Sequence, residues 1–275
     1  MLKVSCTYMD LDVPPIGIPL QTQVLDLSGN KLLPGSQMII GGHDVFLPIQ
    51  SIDASHNNIV YLHEDTFSKL SNLQWIDLSH NHIEIIHNNL FNNLTRGLKW
   101  LDLSNNRIAS LADARWLNGL RGSLIHFNLS QNNVHVVSKS TINWLPGLLS
   151  FDISRNSLKY VDNGALKNLK ILDLSFNNFN SIAPFTFANS STLKMLNINN
   201  NGNLKVIREY SFVKMTALKE INLNDNQQLL YIDHKAFKDL PRLRTLNLKR
   251  CFLVTLQDGI IRNLPSLVYL DLSEN

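Results

Sequence analysis

Cys251 stands in LNLKRCFL (246–253), and the only other cysteine in the 275 residues is Cys6. A lone thiol between apolar runs can be half of a disulfide, a nucleophile or a metal ligand. His80 and His82 flank Asn81 in a His-Asn-His triplet with the letters of a metal-dependent nuclease, and His56 and His87 lie nearby. Trp75 and Trp100 are one period apart, which suits an aromatic binding face. Lys170, Lys194, Lys219 and Arg244 recur at intervals of 24 or 25 residues, which suits a row of anion-binding cations. Each possibility depends on the elements that position these side chains.

Those elements form a ladder. LQWIDLSHNHI (73–83), LKWLDLSNNRI (98–108), LKILDLSFNNF (169–179) and LVYLDLSEN (267–275) share one frame, L-x-x-L-x-L-x-x-N-x-L. Its ninth position falls at Asn30, Asn57, Asn81, Asn106, Asn132, Asn156, Asn177, Asn201, Asn226, Cys251 and Asn275, at intervals of 21 to 27 residues. This is the leucine-rich-repeat signature. Alternation at positions four and six sends both side chains to one face of a short strand, while positions three and five face the other way. The rest of each repeat supplies the crossover that a parallel sheet requires. In that second half Phe67, Phe91 and Phe237 should point inward from the convex side. No repeat can bury its leucines alone, so stability comes from stacking. The fold class expected is an α/β solenoid: a horseshoe with a parallel β-sheet on the concave face and a mostly irregular convex side.

The frame disposes of most of the chemistry. Cys251 occupies a ladder position where the signature accepts Asn or Cys, so a buried structural thiol is expected. Cys6 precedes the first strand and Cys251 ends the tenth, on the order of 43 Å away at the usual strand spacing. A disulfide spans about 7 Å at most between Cα atoms. Asn81 is a ladder residue, which removes the nuclease reading. His56 and His80 share the eighth position of adjacent repeats, and a zinc site there would need further ligands. No GxSxG, HExxH or phosphate-binding glycine loop occurs, so no catalytic residue, metal or cofactor is expected. A net charge of +3 and the lack of a basic module argue against nucleic acid. No apolar run is long enough to span a bilayer, so any membrane attachment would come from segments outside this chain.

Residues 1–21 carry Cys6, Pro14, Pro15 and Pro19 ahead of the first repeat, Thr22 to Asn30. That order resembles the end of the cysteine-rich N-terminal cap of extracellular leucine-rich-repeat proteins. The 24-residue period with Phe in its second half is similar to the typical repeats of Toll receptors and chaoptin-like adhesion proteins. The resemblance implies a cap remnant over 1–21 and one solenoid of eleven repeats over 22–275, the last incomplete, cut from a larger ectodomain. It also implies an extracellular or cell-surface setting. NNNGNL (199–204) and NDNQQLL (224–230) each carry one extra residue and should distort the coil locally. GGHDVFLP (41–48) should form a convex or edge loop.

Function is then to be sought on the concave face, which solenoids use for binding. Position three places Trp75, Trp100 and His126 on successive strands with His80 nearby, a candidate hot spot for a protein ligand or co-receptor. The plain alternative is that these rings cover one another on a wide sheet. Over the exposed positions the first four repeats carry four aspartates and one lysine, whereas repeats eight to ten carry five basic and two acidic residues. The row of Lys194, Lys219 and Arg244 is a candidate site for a sulfated glycan. Three sequons occur, at Asn93, Asn128 and Asn189. Asn93 and Asn189 lie in connecting halves where a glycan is harmless, but one on Asn128 would obstruct the aromatic row. The expected function is an extracellular recognition or adhesion module. The alternative is a cytosolic leucine-rich-repeat scaffold or inhibitory regulatory subunit.

Overall fold

A computed structural model describes residues 1–33, 40, 46–94, 97–111, 114–137, 144–162, 168–188, 190–257 and 259–275, so Asn189 and most of the 41–48 loop lie outside the described residues. The chain forms two compact units, Met1–Asn133 with Trp144–Leu148, and Val134–Asn143 with Leu149–Asn275. Both are leucine-rich-repeat coils. In the first unit, strands Leu2–Ser5, Thr22–Asp26, Ser51–Asp53, Trp75–Asp77, Trp100–Asp102 and His126–Asn128 pair in parallel, in chain order. In the second, Ser150–Asp152, Ile171–Asp173, Met195–Asn197, Glu220–Asn222, Thr245–Asn247 and Tyr269–Asp271 do the same. The strands are short because only positions three to five of each repeat are extended. Their central residues are buried, as Ile76 and Leu101 show, with no exposed surface.

Opposite the sheet the chain returns through turns, two-residue strands and single 3₁₀ turns. Tyr61–Leu62 pairs with Ile85–Ile86 in the first unit, and Ser181–Ile182, Val206–Ile207 and Tyr231–Ile232 form a second small ladder in the other. The expected inward phenylalanines are there: Phe67, Phe91 and Phe237 are at most 1% exposed. Phe67 stacks on Phe91 at 6.2 Å, and Phe187, Phe212 and Phe237 stack face to face at 5.3 and 5.2 Å. Trp116, which the repeat pattern did not announce, continues the first stack. It lies 5.9 Å from Phe91 and meets Phe127 edge-on. Its 3₁₀ helix, Arg115–Leu120, approaches so closely that a Cβ at Gly119 would stand 2.6 Å from the Phe91 carbonyl oxygen.

The strand end is where the coil is held. The eighth residue has positive φ in repeat after repeat: His56, His80, Asn105, Gln131, Arg155, Phe176, Asn200, Asp225, Arg250 and Glu274 lie between 52° and 59°. The turn drives backbone groups into the interior, and the ninth residue meets them there. Asn81 Nδ2 donates to the carbonyls of Leu78, Ser79 and Ala54 at 3.0–3.1 Å, and its Oδ1 accepts the Ile59 N–H at 3.1 Å. Asn57, Asn106 and Asn132 repeat the pattern, as does Asn177. Asn30 extends it to the first segment, donating to the Cys6 carbonyl and accepting from Met9 and Leu11. At the two repeats with an extra residue the donating N–H shifts. Asn201 and Asn226 take the N–H of the preceding ladder asparagine itself.

Replacing Asn81 by Ala leaves the buried Ile59 N–H without its acceptor and takes one donor from each of the Leu78, Ala54 and Ser79 carbonyls, which keep a second donor in Asn106, Asn57 and His56. An unsatisfied buried N–H costs roughly 1–3 kcal/mol and each further lost bond about 0.5–1.5 kcal/mol, so Asn81→Ala should lose about 3 kcal/mol in denaturant unfolding. A loss below about 1 kcal/mol, the net worth of one ordinary hydrogen bond, would show that the ladder is not structural.

Candidate binding face

Positions three and five of each strand point away from the core, and the first unit concentrates its chemistry there. Trp75, Trp100 and His126 are direct register partners on three successive strands. Trp100 is 40% exposed and its ring lies 5.3 Å from that of His126, tilted by 35°. Trp75 is half-buried. His80 sits elsewhere, past the strand end, where it stacks on His56 at 4.1 Å and its Nδ1 faces the Asn105 amide. Among the described residues no group of three or more His, Cys, Asp or Glu is arranged to hold a metal ion.

Two residues beyond each of these rings stands the fifth position, whose role is double. Asp53, Asp77 and Asp102 each accept the N–H of the serine two residues on, at 3.0, 2.8 and 2.8 Å. One carboxylate oxygen thus closes the turn and the other faces outward. Register puts the three carboxylates side by side. Burial pushes the Asp77 carboxyl above its ordinary range, the Ser79 hydrogen bonds oppose this, and the charges of Asp102 and Asp53 add to it. At the row's first end, burial acts to raise Asp26, but the Lys3 ammonium at 3.0 Å and Ser28 outweigh it and hold the carboxyl low. At the other end Asn128 donates its amide to Asp102 Oδ2 at 2.8 Å and accepts from Ser130. The sequon asparagine of the sheet is therefore engaged at both ends of its side chain. Asn93, by contrast, is exposed, with one 3.3 Å bond to the Ser68 carbonyl.

In the second unit Lys170, Lys194, Lys219 and Arg244 are exposed and successive. The carbonyls of all four accept backbone N–H groups from the next repeat. None is ion-paired among the described residues. Lys249 and Arg250 are paired, with Glu274 at 3.0 and 2.6 Å, and Arg250 also with Asp225. The basic character of this unit's face therefore rests on the second-position row. Cys251 is 5% exposed and its Sγ donates to the Leu223 carbonyl at 3.2 Å, the bond an asparagine would make. Burial pushes the thiol up to about 11, against the pull of the Asn226 N–H.

Short parallel strands, a ladder of asparagines with one cysteine beyond the strand ends and an irregular return define a leucine-rich-repeat solenoid. The chain belongs to the leucine-rich-repeat family, whose repeat model matches residues 48–108, 96–158, 167–227 and 218–275. Tsukushi of Gallus gallus is 28% identical over 230 residues, covering 74% of this chain and 62% of Tsukushi. Tsukushi-A of Xenopus laevis is 30% identical over 207 residues, covering 75% of this chain and 58% of its own length. The chain thus spans about three fifths of these curated relatives. Toll-like receptor 9 of Mus musculus is 32% identical over 114 residues, 31% of this chain and 11% of the receptor. A solved TLR13–ssRNA13 complex has the same fold, with a TM-score of 0.63 at 23% identity over 93% of this chain and 44% of that one.

The aspartate row has a sign that can be measured. Asp77 has a folded-state pKa above its unfolded value, so its ionised form disfavours folding at neutral pH, and protonation relieves this as pH falls through the folded pKa. Asp77→Asn keeps the acceptor for Ser79 and should stabilise by about 0.5 kcal/mol at pH 7, the scale of a like-charge cross-strand pair. The gain should vanish in melts below the carboxylate range. For Cys251, alkylation of the native chain at pH 8 should be slow and become fast in denaturant. Rapid native labelling would contradict the ladder role.

Proposed function

We propose that this chain is the recognition module of an extracellular or cell-surface leucine-rich-repeat protein, binding a protein ligand or co-receptor on the open strand face of its first unit. One observation carries the reading: Trp75 and Trp100 stand in register on that face, clear of the core, with His126 completing the row. Large aromatics presented on a rigid, partly dry surface are the residue types that dominate interface energies. The strands beneath are fixed by the ladder, so the rings need no ordering on binding. The likeness to Tsukushi and to Toll-like receptor 9 supports the extracellular setting, and the repeat architecture supports binding rather than catalysis. Among the described residues no helix is long and apolar enough to cross a membrane. Residues 1–21 act in this reading as a cap on the repeats that follow from 22.

A second reading concerns the other unit. Four cations on successive repeats, none ion-paired among the described residues, suit a linear polyanion, and a sulfated glycan presents charge at repeating intervals along a semi-rigid chain. Lys194, Lys219 and Arg244 would carry it, with Lys170 at the end of the row.

Both readings are tested by screening the immobilised chain against extracellular ectodomains and a sulfated-glycan series, with single-stranded RNA as a further arm. Trp75→Ala with Trp100→Ala should weaken the protein ligand by about 2 kcal/mol or more at unchanged thermal stability. Lys194→Glu with Lys219→Glu should abolish glycan retention alone. Unchanged binding in the tryptophan variant would move the protein interface off this face.

A further inference from the structure

We propose that the open face of the first unit takes an arginine-bearing extended segment of its protein partner, each guanidinium lying on an indole and turning its N–H groups to the carboxylate two residues further along the same strand. This rests on the binding-face reading above and specifies the partner's chemistry.

Two independent rows meet in it. Trp75 and Asp77 are the first and third residues of one strand, so both side chains leave the same side of the sheet. Trp100 and Asp102 repeat the pair on the next strand, in register. Alternate residues of a strand stand roughly 6.6 Å apart, close enough for a planar cation on the ring to reach the acid. Each carboxylate is already oriented, because one oxygen is tied to the serine N–H that follows it. The outward oxygens of Asp53 and Asp77 have no ion-pair partner among the described residues, and Asp102 receives only the neutral Asn128 amide. The row therefore keeps its negative charge, and the repulsion from Asp102 and Asp53, which adds to burial in raising Asp77, is what an incoming cation would relieve.

The indole is the strongest of the aromatic faces for a cation, and the guanidinium is the cation that both stacks and forks to a carboxylate. The chain itself makes the first half of this contact in its other unit, where the Arg155 guanidinium lies 4.0 Å from the centre of the Phe176 ring. Tyr210 and Phe46 likewise carry lysines from their own surroundings. Among the described residues no cation covers Trp75 or Trp100. The chain as a whole is basic, at +3, so a basic partner is drawn to this face in particular and not to the surface at large.

The test uses the full chain and two peptides, Arg-Ser-Arg-Ser-Arg and its lysine counterpart, titrated at physiological ionic strength by fluorescence polarisation. The arginine peptide should bind saturably, and both Trp75→Ala/Trp100→Ala and Asp77→Asn/Asp102→Asn should weaken it at least about tenfold. The asparagine variant keeps the turn, since Asn128 closes the same turn natively. Lysine should bind about tenfold less well than arginine. No saturable binding, equal affinity for the two peptides, or indifference to the aspartate variant would overturn the proposal. A screened ectodomain that is weakened by the tryptophan variant but not by the aspartate variant would leave the binding face standing and the arginine reading refuted.

Discussion

Everything in this molecule hangs on one accounting problem: a coil that turns back on itself every two dozen residues drives polar backbone into an apolar interior. A buried carbonyl or N–H without a partner is costly, and a solenoid meets that cost once per repeat. The ladder asparagine answers it with a single side chain, donating to two successive coils and accepting from the earlier one. Because its bonds cross from one repeat to the next, it also sets their register. Cys251 shows how far the requirement relaxes: the thiol keeps the donor toward Leu223, and burial rather than reactivity governs its ionisation.

The binding chemistry inherits its geometry from that turn. Trp75 and Trp100 align because Ile76 and Leu101, one residue on, are locked into the core. The aspartates beside them are both structural and electrostatic, since the oxygen that closes each turn leaves the other one facing outward. Where Asn stands in place of Asp, the turn bond is kept at Asn128 and Asn247, and the amides of Asn128, Asn197 and Asn222 also bond sideways to the neighbour on the previous strand. Charge on the sheet is thus tuned at positions the fold already uses.

The period-two strand pattern and the ladder were fully legible in the sequence, because burial there dictates residue type. The inward phenylalanines were legible for the same reason. Trp116 was not, since its place in the stack depends on a 3₁₀ helix brought close by Gly119, a contact that no local pattern signals. Position five looked like free surface charge, and its turn-closing bond emerges only with the backbone around it. His80 was grouped with Trp75 by residue count, while its shared eighth position with His56 already pointed to the stack that the two rings form. Lys249 and Arg250 added to the sequence count of basic charge, although Glu274 and Asp225 on the neighbouring repeats pair with them.

The eighth position carries a consequence of its own. Its residues share one left-handed backbone conformation, yet they are histidine, asparagine, glutamine, arginine, phenylalanine, aspartate and glutamate. Left-handed φ disfavours most of these types, so the conformation is imposed by the bonds on either side and owes nothing to the side chain it holds. The column is in effect a row of sockets: side chains other than proline and the β-branched types can be seated there without altering the coil. Neighbouring occupants then define small surface pairs, as the stacked His56 and His80 or Arg155 and Phe176 do now. Along this line the protein's exterior can be rewritten one residue at a time while its interior stays the same.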